Sequence, residues 1–135
     1  MPSTTTVLVV DDEPVVRLVV TDVLEELGYT VLDAADAETG LAMLQANPRI
    51  GLLISDIGLP GGMDGRQLVE TARLVRPELK VLFATGDEQG LTADSSELDG
   101  TTRLILKPFR LDILASEVAT LVNHAGRSQI APRAA

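Results

Sequence analysis

Two periods alternate along the chain. Thr6 to Val10, Thr30 to Ala34, Ile50 to Ser55, Lys80 to Ala84 and Arg103 to Leu106 are short runs rich in apolar and β-branched residues, the length of buried strands. Between them, apolar residues recur at three- and four-residue spacing, the mark of helices with one buried stripe. Val16, Val19, Val20, Val23, Leu24 and Leu27 predict a helix from Pro14 to Leu27 with Gly28 as its C-cap. Asp36 is placed to cap a helix over Ala37 to Ala46, with Leu41 and Leu44 facing inward and Asn47-Pro48 ending it. Asp64 or Gly65 opens a third helix through Val75, which Arg76-Pro77 stops. A last amphipathic helix is predicted over Leu111 to Val122.

Strands alternating with helices at this spacing imply right-handed βαβ units and a parallel sheet covered on both faces. The expected architecture is α/β, a doubly wound five-stranded parallel sheet of order 2-1-3-4-5. Only the stretch after Thr85 breaks the rhythm. Gly86, Gly90, Thr92, Asp94, Ser95, Ser96 and Gly100 are poor helix formers, so a fourth helix between Asp87 and Gly100 is expected to be short or loose and to sample several conformations. Residues 1–124 are expected to form one domain and 125–135 a flexible tail.

Composition narrows the function classes. A chain of 135 residues can bury roughly 70% of its unfolded surface in one core and leaves no room for a second domain. It has no Cys, hence no disulfide framework or thiolate metal site, and its first residues carry no signal pattern. A cytoplasmic location is expected. The apolar runs fall far short of the roughly 20 residues of a spanning helix, so no membrane insertion is expected. The net charge is −9, with eleven basic residues scattered among twenty acids, which argues against direct nucleic-acid binding. Tyr29, Phe83 and Phe109 are the only aromatics, too few for stacking platforms.

Three strand ends carry chemistry to one edge of this sheet. Asp11 and Asp12 follow the first strand, Asp56 ends the third, Thr85 ends the fourth and Lys107 follows the fifth. In the order 2-1-3-4-5 the first and third strands are neighbours at the switch point, which brings the three carboxylates together. Such a cluster is costly unless a hard divalent cation sits among them, and Mg²⁺ (or Mn²⁺) suits the oxygen-only ligand set. The ion would attract a phosphoryl donor, with Asp56 as nucleophile and Lys107 and the Thr85 hydroxyl holding phosphoryl oxygens. Capping alone would account for acids at Asp11, Asp12 and Glu13, but three in a row exceed what a cap needs.

Val10-Asp11-Asp12-Glu13, Asp56 with Leu59-Pro60-Gly61-Gly62-Met63-Asp64-Gly65 after it, Phe83-Ala84-Thr85-Gly86 and Lys107-Pro108-Phe109 together resemble a bacterial two-component response-regulator receiver domain. The resemblance covers about residues 5 to 123, and its joint spacing is specific although each short motif alone is weak. It implies a flavodoxin-like fold and a phospho-accepting role for Asp56. It also implies Mg²⁺ ligation by Asp11, Asp12, Asp56 and the Gly58 carbonyl, with Thr85 and Lys107 contacting the phosphoryl group. The implied phosphate source is the phosphohistidine of a sensor histidine kinase or a histidine phosphotransfer protein. Self-catalysed transfer and hydrolysis would be the only activity. With no output domain expected, the signal would pass to a downstream protein target or the phosphate would be relayed or absorbed.

Two departures from the family pattern stand out. Leu104 occupies the place where receivers commonly carry Tyr or Phe, and Gly61-Gly62 makes the loop after Asp56 one residue longer than usual, as in receivers attached to hybrid kinases. Phe83-Ala84-Thr85-Gly86 is similar to the motif of an alphaproteobacterial stand-alone subgroup, but Glu88 stands where that subgroup has Tyr. Other readings use the same fold: an unphosphorylated scaffold, the receiver portion of a hybrid histidine kinase, or a small flavin binder. The strand-end carboxylates disfavour the last, because they would repel a flavin phosphate.

Overall fold

A computed structural model describes residues 5–86 and 95–130, with the backbone alone described at 95–99 and 124–130. The strand β1 (Thr6–Val10) is buried along its whole length. Leu8 and Val10 enter one apolar layer, while Val7 and Val9 enter the other. A strand covered on both faces needs an unbroken apolar run rather than an alternating one, and β3 (Ile50–Asp56) obeys the same rule through Leu52, Leu53 and Ile54.

The remaining elements are α1 (Pro14–Glu26), β2 (Thr30–Ala34), α2 (Ala37–Ala46), α3 (Gly65–Val75), β4 (Lys80–Thr85), β5 (Ser95–Asp99), β6 (Thr102–Leu106) and α4 (Leu111–Ile130). Ala37, Leu44, Leu68 and Ala72 cover one face from α2 and α3. Val20, Leu24, Leu114 and Leu121 cover the other from α1 and α4. Five parallel strands lie in the order β2-β1-β3-β4-β6, which is the predicted 2-1-3-4-5. The strand order reverses between β1 and β3, which opens a crevice at their C-terminal ends. Among the described residues no helix is long and apolar enough to cross a membrane.

Local chemistry sets the helix boundaries. The Asp36 carboxylate accepts from the Thr39 amide at 2.7 Å, which holds its pKa below the usual aspartate value. Asp64 and Gln67 form a reciprocal capping box at the start of α3, each side chain accepting the other's amide at 2.9 Å. Pro14 sits in the first turn of α1, where its missing N–H is no loss.

The structure corrects the sequence pattern at several points. Leu27 caps α1 rather than ending it, and Gly28 follows at φ 101°. The amides of Gly28 and Tyr29 bond back to Glu25 and Leu24, a Schellman closure that favours glycine. Val19 and Leu27, expected in the buried stripe, are 38% and 53% exposed. The expected loose fourth helix is replaced over Ser95–Asp99 by a sixth strand, antiparallel to β6 at the sheet edge; residues 87–94 lie outside the described ones. The backbone of α4 runs from Leu111 to Ile130, past the end expected at Val122.

Candidate functional site

Strand register alone lines the candidate residues up. Val10 pairs with Ser55, Asp56 with Ala84, and Thr85 with Leu106. The next residue of β1 is Asp11, whose amide still reaches the Ala34 carbonyl at 3.2 Å, and the next residue of β6 is Lys107, whose amide reaches the Thr85 carbonyl at 2.8 Å. At the C-terminal edge of four adjacent strands, Asp11 therefore lies level with Asp56, Thr85 one residue beyond them and Lys107 two. Asp12 follows on the β1–α1 turn.

Asp11, Asp12 and Asp56 each offer one carboxylate oxygen, and these oxygens lie within 4.8 Å of one another. The Lys107 ammonium bridges the cluster, donating to Asp11 Oδ2 at 2.7 Å, Asp56 Oδ2 at 3.0 Å and Glu13 Oε1 at 3.2 Å. Backbone amides hold the other oxygens: Glu13 N–H donates to Asp11 Oδ1 at 2.8 Å and Gly58 N–H to Asp56 Oδ1 at 3.0 Å. Thr85 is 5% exposed at the end of β4, and the Lys107–Pro108 peptide is cis.

The electrostatics follow from burial and pairing. Burial opposes the charge on Lys107, but hydrogen bonds to Asp11 and Asp56 outweigh it and raise its pKa above the ordinary value. Burial pushes the Asp11 carboxyl up; Lys107 and the Glu13 amide offset this only in part. One ammonium thus faces more carboxylates than it can neutralise. Each carboxylate oxygen also keeps a second acceptor site beyond its present partner. An oxygen-only set with surplus negative charge and no imidazole or thiolate fits a hard divalent cation.

Gly65, which the sequence marks as a helix start and as the end of the loop motif after Asp56, belongs to the site. Its amide donates to the Ile57 carbonyl at 2.9 Å, and a Cβ built on it would lie 2.1 Å from the Asp56 carbonyl oxygen. The first turn of α3 is pressed against the backbone that carries Asp56, and both sides of the contact are main chain, so neither yields cheaply. Gly65→Ala should cost about 2–3 kcal/mol in urea unfolding. Gly62→Ala, where a Cβ meets nothing within 4 Å, should stay near wild type. Equal stability of the two variants would refute the close-contact account.

The departure at Leu104 has a packing counterpart. Leu104 is 6% exposed and pairs in register with Phe83, also 6% exposed, in the apolar layer beneath Thr85. The aromatic ring of this wall stands on β4 rather than β6.

The sequence model for the response regulator receiver domain matches residues 7–119. The chain belongs to the response-regulator receiver family. This receiver is 31% identical over 118 residues to the sensor kinase CckA of Brucella abortus, a match covering 87% of this chain and 12% of the kinase. It is 29% identical over 116 residues to the response regulator receiver protein CpdR of the same organism, covering 86% of this chain and 95% of that protein. Its fold is similar to that of a CheY-like receiver domain protein from Methanospirillum hungatei, with TM-score 0.73 and 29% identity over 93% of this chain and 99% of the other. A cluster such as Asp11, Asp12 and Asp56 is typical of phospho-accepting receivers.

Proposed function

We propose that this receiver accepts a phosphoryl group on Asp56 in a reaction that requires Mg²⁺ or Mn²⁺ held by Asp11, Asp12, Asp56 and the Gly58 carbonyl. The observation that carries the reading is the Lys107 ammonium spanning Asp11 and Asp56 at the strand ends, with Asp12 completing the cluster. When bound, the ion supplies charge neutralisation at the phosphoryl oxygens. An Asp56 oxygen attacks phosphorus, the P–N bond of a phosphohistidine breaks, and its electron pair returns to the imidazole, which takes up a proton. Lys107 then exchanges part of its contact with Asp56 for a phosphoryl oxygen, and the Thr85 hydroxyl donates to another.

The donor in this reading is a sensor histidine kinase or a histidine phosphotransfer protein. An apolar groove of about 420 Å³ runs beside the site, lined by Val15, Val16, Val19, Lys107, Phe109 and Leu111 among others. Val15 and Leu18 are 71% and 61% exposed on the same helix, which suits the apolar stripe of a donor helix. Residues 1–124 would act as the receiver unit in the cytoplasm, with the signal passing to a protein target. Phe83-Ala84-Thr85-Gly86 supports a place near the alphaproteobacterial stand-alone receivers. The similarity to the sensor kinase CckA favours a second reading, a receiver portion of a hybrid kinase.

A phosphorylated histidine phosphotransfer protein and acetyl phosphate, each with Mg²⁺, provide the test. Transfer should yield a hydroxylamine-labile label and stop when the metal is chelated. A label that resists hydroxylamine, or forms equally well under chelation, would count against an acyl phosphate made in a metal-dependent step.

A further inference from the structure

A second cation holds the β1–α1 turn from behind. Arg17 stands in α1 with its side chain 20% exposed; Nε donates to Asp33 Oδ2 at 3.0 Å and Nη1 to the main-chain carbonyl of Asp11 at 2.7 Å. That carbonyl lies where the β1–β2 ladder runs out, since the Asp11 amide makes its contact to Ala34 and β2 ends there. Asp11 is 3% exposed, and a buried carbonyl left without a donor is costly. The guanidinium supplies the donor that the sheet no longer offers.

The consequence reaches the carboxylates through the peptide plane. The Asp11 carbonyl and the Asp12 amide belong to one rigid unit. Fixing that carbonyl constrains ψ of Asp11 and φ of Asp12, and so the direction in which the Asp12 side chain leaves the backbone. Asp33 holds the other edge of the planar fork, which limits how far Arg17 can swing.

We propose that Arg17 is a positioning residue for the carboxylate cluster: it aims Asp12 at the cation without being a ligand. The inference rests on the metal reading proposed above. Charge alone predicts the opposite sign, because removing a cation near carboxylates strengthens their hold on a divalent ion. Positioning predicts weaker binding, whether the charge is removed or kept in a different shape.

Calorimetric titration with Mg²⁺ alone separates these cases, with circular dichroism to establish that each variant is folded. Arg17→Met and Arg17→Lys should each weaken Mg²⁺ binding about tenfold, the usual scale for residues that orient metal ligands. On an Asp12→Asn background, Arg17→Lys should cause little further loss, because the group it aims is already disabled. Unchanged or tighter binding by folded Arg17→Met, or a full tenfold loss from Arg17→Lys on the Asp12→Asn background, would overturn the positioning role. A wild-type protein that takes up no Mg²⁺ would remove the metal reading and this inference with it. Wild-type binding with no effect of Arg17 would remove the inference alone.

Discussion

Lys107→Met should destabilise the metal-free protein by about 3–5 kcal/mol at neutral pH, the scale for stripping one partner from a buried ion pair. The Lys107 side chain is 14% exposed and that of Asp11 4%, so removing the ammonium leaves Asp11 and Asp56 charged, close and poorly hydrated. A methionine fills similar volume, so the loss reports the charge rather than a cavity.

The pH dependence of that loss has a definite sign. Burial raises the Asp11 pKa above its ordinary 3.8, so as pH falls the folded state takes up this proton before the unfolded chain does. In the variant the penalty for a charged Asp11 is full above the raised value and fades as pH falls through it. The stability gap to wild type therefore narrows in acid. In wild type, the contribution of Lys107 is complete below its ordinary 10.5 and is lost as pH rises through its higher folded value. Mg²⁺ should stabilise the variant by substituting for the missing cation, by about 2.7 kcal/mol at a hundredfold excess over Kd. Urea unfolding across pH and Mg²⁺ concentration measures all three effects. A variant as stable as wild type at neutral pH, and indifferent to Mg²⁺, would mean that the carboxylates do not depend on Lys107.

The carboxylate row was legible from sequence because it is tied to the strongest signals in the chain. Unbroken apolar runs fix β1 and β3, an acid follows the first and ends the second, and parallel register then sets Asp11 beside Asp56. Contacts that leave no periodic trace were not legible. The grip of Arg17 on a main-chain carbonyl depends on tertiary placement, as does that of Arg76, which donates to the carbonyls of Leu44, Asn47 and Ile50 to tie the end of α2 to β3. Gly65 looks like any helix-start glycine until the Asp56 backbone is seen against it. Ser95-Ser96-Glu97-Leu98-Asp99 has no β-branched residue, yet it lies antiparallel along β6, where pairing with a formed strand outweighs weak intrinsic preference.

Asp56 should be the residue that becomes phosphorylated, and its neighbours should not. Asp11 is 3% exposed, with one oxygen held by the Glu13 amide and the other by Lys107. Asp12 sits on the exposed turn, away from the strand-end row that brings Lys107 and Thr85 together. Asp56 alone combines a strand-end position, a partly exposed carboxylate and a cation across from its Oδ2, while the Gly58 amide fixes Oδ1 and limits rotation. Asp56→Asn keeps the shape, removes the nucleophilic charge and relieves repulsion with Asp11, so the variant should fold and still fail to react.

The most direct test is the intact mass of wild type and Asp56→Asn after incubation with acetyl phosphate and Mg²⁺. Wild type should gain one phosphoryl group, lost again on treatment with hydroxylamine, and Asp56→Asn should keep its starting mass. An equal adduct on both proteins would contradict the assignment of Asp56 as the acceptor.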